Sequence, residues 1–285
     1  MSLSSPPRYD RIVSLVFVVL IGLTIIFLID ANPNTLRIRL GGDLPTLAIS
    51  WLLIGSLLLI TSAGADLLAR SHPQMQTRSL PTLNLGVTTV EIAPAFWILP
   101  AFSVIGSFAF FRILSTSLQG LAFALALLVA GGGLLATLIC QHYALDRNPQ
   151  LSQRAQLALQ VIAYLAAFAC FSAIYYARQR TLYSATLIGA TGSLLAYAML
   201  QWTGRVHSFR LSLLVGLLLA EATWALNYWA ASFLVGGTLL LVIFYITSGL
   251  LQHQASGKLQ RRLIVEYALL GSCLLAIVIY ATFRF

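Results

Sequence analysis

Charge is what this sequence most lacks. Asp, Glu, Lys and Arg together make up 9% of its 285 residues, whereas a water-soluble globular domain carries about 25%. That scarcity, beside a hydrophobic share of 59%, excludes a soluble domain and makes the bilayer the solvent. Lysine is almost missing, since sixteen of the seventeen basic residues are Arg, scattered singly or in pairs between apolar runs. The net charge of +9 is therefore a topology signal, and no nucleic-acid partner is expected. Cysteine is scarce as well: Cys140, Cys170 and Cys273 fall inside apolar runs at no metal-like spacing, so they read as packing residues and define no disulfide. No Walker-type loop, Rossmann fingerprint or zinc spacing is present. No loop is long enough to fold on its own, so any chemistry must sit among the helices.

What is present is a series of apolar runs. At about 20 residues per crossing, spans fall at 12–30, 45–68, 93–113, 118–141, 155–177, 182–202, 209–228, 231–251 and 263–282. The expected architecture is all-α, a polytopic transmembrane helical bundle of about nine spans forming a single domain over residues 1–285. Pro94 and Pro100 interrupt the third run, and the positive-inside bias tests whether it crosses. With nine spans, Arg8, Arg11, Arg70, Arg78, Arg147, Arg154, Arg205, Arg210, Lys258, Arg261 and Arg262 share the N-terminal side, eleven against six. Without the third crossing the split becomes eight against nine. The bias thus predicts nine spans, N-terminus inside and C-terminus outside. The run after Arg8 and Arg11 ends at Asp30-Ala31-Asn32-Pro33 with no small-x-small site, so it reads as an anchor rather than a cleaved signal.

Small residues mark the internal helices. Ala185, Gly189 and Ser193 recur every fourth residue in the sixth span, and Gly131-Gly132-Gly133 interrupts the fourth; such stripes allow close backbone approach. The first span, mainly Val, Leu and Ile, suits a lipid-facing position.

The acids sort by depth. Asp66 lies one turn from Arg70 and Glu266 one turn from Arg262, which suits interfacial ion pairs. Glu91 falls in the first turn of the third span, where the helix dipole favours a carboxylate, and Asp43 before Pro45 resembles a cap. Glu221 alone is at depth, because 11 residues from Arg210 at about 1.5 Å each put it roughly 16 Å into the core. An ionised carboxylate there costs at least about 2.5 to 3.5 kcal/mol. Two readings follow: a protonated side chain hydrogen-bonded to neighbouring helices, or a ligand-binding or proton-coupling group. Tyr164, Thr191, Tyr245 and Ser272 have similar depths and are candidate partners, and Trp224, Ala225 and Tyr228 lead from Glu221 to the outer surface. Tyr228-Trp229 also suit the interfacial aromatic belt.

His72, His142, His207 and His253 all fall at inner helix ends in this topology, with Asp66, Glu91 and Asp146 on the same side. A metal or acid–base site could be assembled there. The tight His-x-x-x-His pair of an inner-side zinc site is absent, so no metal and no other cofactor is expected.

The segments FWILP (Phe96 to Pro100), EATWALNYW (Glu221 to Trp229), FYITSGL (Phe244 to Leu250) and RRLIVEY (Arg261 to Tyr267) resemble an uncharacterised family of bacterial multi-span membrane proteins of unknown function. The resemblance implies a multi-pass protein of the bacterial cytoplasmic membrane and supplies no activity. Three classes of function remain. First is a carrier or binding protein for a small apolar or lipidic ligand, with Glu221 as polar anchor and Trp224, Tyr164, Thr191 and Tyr245 as further candidates. Second is a non-catalytic subunit of a membrane complex, held to membrane-protein partners by small-residue faces. An intramembrane enzyme using the inner His and acid cluster comes third, and no catalytic residue is assigned.

Overall fold

The structure, a computed structural model, describes residues 7–31, 37–38, 47–75, 82–84, 89–91, 94–115, 118, 120–146, 148–202, 208–229, 232–255, 257 and 260–284. Among them are nine helices: α1 (Tyr9–Ala31), α2 (Ile49–Arg70), α3 (Pro94–Ile113), α4 (Leu121–Ala144), α5 (Pro149–Tyr176), α6 (Thr181–Trp202), α7 (Ser208–Leu226), α8 (Phe233–Ala255) and α9 (Arg261–Arg284). Two antiparallel ribbons flank α2: β1 (Arg37–Ile38) pairs with β2 (Leu47–Ala48), and β3 (Thr82–Asn84) with β4 (Thr89–Glu91). Among the described residues eight of the helices, α1 to α8, are long and apolar enough to cross a membrane. The chain divides into two compact units, Met1–Ile162 and Ala163–Phe285, with the division inside α5.

In the first unit, α1 to α4 share one hydrophobic core. On α1 the buried residues Ile12, Val16, Val19, Leu23 and Ile26 recur at alternating spacings of four and three, and they join Ile54, Leu57, Phe108 and Leu134. The expectation that α1 simply faces lipid is corrected by this buried seam. The physical reason is that lipid tails are as apolar as leucine, so an all-aliphatic helix carries no contrast between its packed and lipid-facing sides. Glycine sets some of the approach distances. A Cβ at Gly64 would lie 2.7 Å from Leu15, and one at Gly131 would lie 2.8 Å from Leu20, whereas Gly132 and Gly133 face open space.

The third apolar run does form a helix of crossing length. At one end of α3 the indole Nε1 of Trp97 donates to Asp66 of α2 at 3.0 Å, and Asp66 also holds Arg70. Near the other end Arg112 lies 3.7 Å from Asp30 of α1 and 5.4 Å from the Trp51 ring, while Ser50 donates to Asp30 at 3.2 Å. Pro100 sits inside this helix and has no N–H, so the Phe96 carbonyl loses its ordinary i+4 donor. Gln141 of α4, 4% exposed, supplies the substitute, its Nε2 donating to the Phe96 oxygen at 3.3 Å. Such re-satisfaction by a neighbouring helix lets proline persist in a spanning segment. Glu91 ends β4, paired with Thr82, rather than opening α3, whose first residue is Pro94. The helix-dipole role expected for Glu91 is thereby corrected.

In the second unit, α6 and α7 pack through the small-residue stripe. A Cβ at Gly189 would lie 2.9 Å from the Gly216 carbonyl oxygen and 3.1 Å from Ala220, and Ser193 of α6 lies directly against Gly216. Asn227 donates to Ser184 at 3.0 Å, and the Tyr175 hydroxyl donates to the carbonyls of Leu226 (3.0 Å) and Trp229 (3.1 Å), closing the end of α7. Phe171, Ile188, Leu195, Leu219, Leu240 and Phe244 form the buried centre. On α9, Arg262 meets Glu266 at 3.1 Å, the pairing the spacing predicts. Asp43 lies outside the described residues.

Candidate functional site

The five residues singled out by depth do not gather at one place. Glu221 and Trp224 are both exposed on α7, and Trp224 is 51% accessible. Among the described residues Glu221 has no hydrogen bond or ion pair. Because α7 ends at Leu226, Glu221 stands about 20 Å from the start of the helix and about 8 Å from its end, beyond the midpoint that the count from Arg210 suggested. Thr191 is buried on α6, and Ser272 is exposed on α9.

Tyr164 and Tyr245 do come together, with ring centroids 5.4 Å apart. They open a row of aromatic groups that continues from Tyr245 to Tyr267 (5.7 Å) and from Tyr267 to His253 (5.9 Å). The hydrogen bonds fix part of its polarity. Ser248 donates to the Phe244 carbonyl at 2.5 Å, as helical serines do. Its proton being spent there, the 3.3 Å contact with Tyr164 is a bond donated by the phenol. His253 Nδ1 lies 2.9 Å from the Gly249 carbonyl, an acceptor, so Nδ1 carries a proton. In the neutral ring this leaves Nε2 as an acceptor.

Tyr267 is also the polar end of a groove. The groove runs between α8 and α9, is lined by Leu239, Val242, Ile243 and Ile246 on one side and by Tyr267, Ala268, Gly271, Ser272 and Leu275 on the other, and holds about 360 Å³. Gly249 lets α9 approach here, since a Cβ on it would lie 2.6 Å from the Tyr267 hydroxyl. The volume is within the usual range for small-molecule sites, about 300 to 1,000 Å³, and the lining of apolar walls with few polar groups is typical of them. Of the five candidates, Tyr245 is one ring away from this groove and Tyr164 two. Tyr267 itself was not singled out, although its position one residue after Glu266 on an apolar run was the available signal.

Two members of the expected histidine cluster belong to the first unit and lie together. His72 and His142 meet edge to face at 4.7 Å, beside a cleft also lined by Arg8, Ser71 and Gln141. At about 20 Å³ the cleft has room for a single water. His72 Nδ1 accepts the backbone N–H of Gln74 at 3.3 Å. Burial, then the neighbouring His142, push the His72 pKa below its ordinary 6.5, and Asp146 partly opposes them. Near it the hydroxyls of Tyr9 and Tyr143 meet at 3.2 Å and tie the start of α1 to the end of α4. His253 belongs to the tyrosine row instead, His207 lies outside the described residues, and Asp66 is occupied by Arg70 and Trp97. Among the described residues no three His, Cys, Asp or Glu side chains are placed to share a metal ion.

Eight apolar helices of crossing length among the described residues define a multi-pass membrane protein. Residues 31–281 match the family described as protein of unknown function, DUF5656. The chain belongs to that family. No curated protein and no solved structure matches it.

Proposed function

We propose that the chain binds a small apolar or lipidic ligand in the groove between α8 and α9, as a carrier or binding protein of the bacterial cytoplasmic membrane. The observation that carries this reading is the 360 Å³ apolar groove that ends at Tyr267, the third member of a row of phenols. An acyl or isoprenoid chain would lie along Leu239, Val242, Ile246 and Leu275. A polar head group would meet the Tyr267 hydroxyl, with His253 behind it. The role of polar anchor thereby passes from Glu221, which does not line the groove, to Tyr267.

The test is photolabelling of the purified chain in vesicles with a fatty acid that carries a photoactivatable diazirine near its methyl end. Label should concentrate on the peptides spanning 239–246 and 267–275. Ala268→Phe, which fills the groove from α9, should cut that labelling severalfold while leaving background labelling of α1 unchanged. Even labelling of all helices, or an Ala268→Phe pattern equal to wild type, would remove the proposal.

A further inference from the structure

Helix α7 carries two seams of the same period. Ser212, Gly216, Leu219, Thr223 and Leu226 are buried at alternating spacings of four and three, and Gly216 and Leu219 on this seam meet α6. Leu214, Leu218, Glu221, Ala225 and Tyr228, the last in the turn just beyond the helix, repeat the same alternation, and every one of them is exposed. The second seam is displaced from the first by two residues, about 200° around the axis at 3.6 residues per turn, so it lies on the opposite side. An average repeat of 3.5 residues is the pattern that keeps two helices in contact along their length.

An apolar seam alone would suit lipid as well as protein. Glu221 breaks that equivalence, because it stands on the exposed seam, inside the apolar length of α7, with no partner among the described residues. Helical side chains lean toward the helix N-terminus, so its carboxyl leans away from the nearer helix end and into the core. Polar side chains inside a membrane almost always face a bundle interior, a cavity or a partner. We propose that a second copy of this chain covers the seam, with Glu221 pairing to its own counterpart. A neutral carboxyl carries one donor and one acceptor, so two of them close two hydrogen bonds with each other. A rotation axis along the membrane normal brings the same residue of every copy to the same depth, and for a pair of copies that axis is twofold. Ala225, one turn from Glu221, lets the two backbones approach at that level, as small residues do in membrane helix pairs.

The experiment is energy transfer between differently labelled copies of the full chain in vesicles, followed as lipid dilutes the protein. Wild type should self-associate, and Glu221→Gln should do so to a similar extent, because the amide also offers a donor and an acceptor. Glu221→Leu should weaken association by roughly five- to thirtyfold, the range peptide studies give for intramembrane hydrogen bonds. Ala225→Leu should also weaken it, by separating the helices while leaving Glu221 in place. This second variant keeps the test alive if Glu221→Leu fails to fold. A wild-type chain that stays monomeric at every dilution overturns the proposal and would favour a foreign helix bearing a cationic or donor side chain. So does a dimer that Ala225→Leu leaves unchanged, since its contact would lie elsewhere.

Discussion

At the scale of single residues, the polar groups inside this bundle mostly repair defects in the apolar framework. Pro100 removes one helical hydrogen bond, and Gln141 replaces it at the Phe96 carbonyl. Leaving a buried acceptor unsatisfied costs about 1 to 3 kcal/mol, so Gln141→Leu should lower unfolding stability by about that much. The cause can be isolated by a double-mutant cycle. In a Pro100→Ala background residue 100 again has an N–H for Phe96, and Gln141→Leu should then cost under about 1 kcal/mol. Reversible unfolding in mixed micelles measures all four chains. Equal costs in both backgrounds would mean that Gln141 serves some purpose other than this carbonyl. Pro100 was visible in the sequence as an interruption, but the residue that compensates for it is 41 positions away. Nothing local in the sequence connects the two. Asp66 with Arg70 and Arg262 with Glu266 were legible because both partners lie on one helix, a turn apart. Asp30 with Arg112 was not, because that pair depends on which helices become neighbours.

At the scale of elements, helix positions were legible and helix faces were not. The apolar runs anticipated all nine described helices, α3 included, to within four residues at every end but the start of α5, which begins six residues earlier at Pro149, because crossing length and the need to satisfy every backbone group leave little choice in lipid. Sidedness was lost for the same reason: both sides of α1 are aliphatic, yet one is a core seam. Glycine carries sidedness better, and the two glycine-rich helices make a contrast that can be measured. Gly216 sits against Ser193 and the Gly189 carbonyl, whereas Gly133 faces open space. Gly216→Ala should therefore force α6 and α7 apart and lose about 1 to 3 kcal/mol, the usual cost of overpacking. Gly133→Ala, on an equally apolar helix, should stay within about 0.5 kcal/mol of wild type or gain slightly from helix propensity. Thermal unfolding of the two variants beside wild type reads the difference. Equal losses would place the backbone of α4 in a contact the structure does not contain. The stripe in α6 was read correctly from spacing alone, as Gly189 and Ser193 do face a helix. The Gly131–Gly133 run was right at one position of three, since only Gly131 meets a side chain.

At the scale of the whole molecule, the remaining question is which side of the membrane each end occupies, and the charge distribution supplies the expectation. Along α3, Trp97 meets Asp66 near one end and Arg112 meets Asp30 near the other, so this helix runs the full length between the two ends of α1 and α2. The helix on which the eleven-to-six count of basic residues depends is thus present, with the length and apolar composition of a span. Arg and Lys accumulate on the cytoplasmic side of spanning helices, so the N-terminus and the α8–α9 connection, with Lys258, Arg261 and Arg262, are expected inside. α9 opens with Arg261 and Arg262 ahead of the apolar run from Leu263, and it is the helix that decides the side of the C-terminus. A compartment-sensitive reporter fused after Phe285 should be active outside the cytoplasm, and the same reporter inserted beside Gly257 should be active inside. Cytoplasmic activity at both positions would mean that α9 does not cross, leaving eight spans and both termini on one side. The α8–α9 groove would then border the inner face of the membrane rather than its core, and labelling by a membrane-embedded fatty acid would fall with it. Activity outside at both positions would instead reverse the charge rule for the α8–α9 connection, where three basic residues stand within five positions.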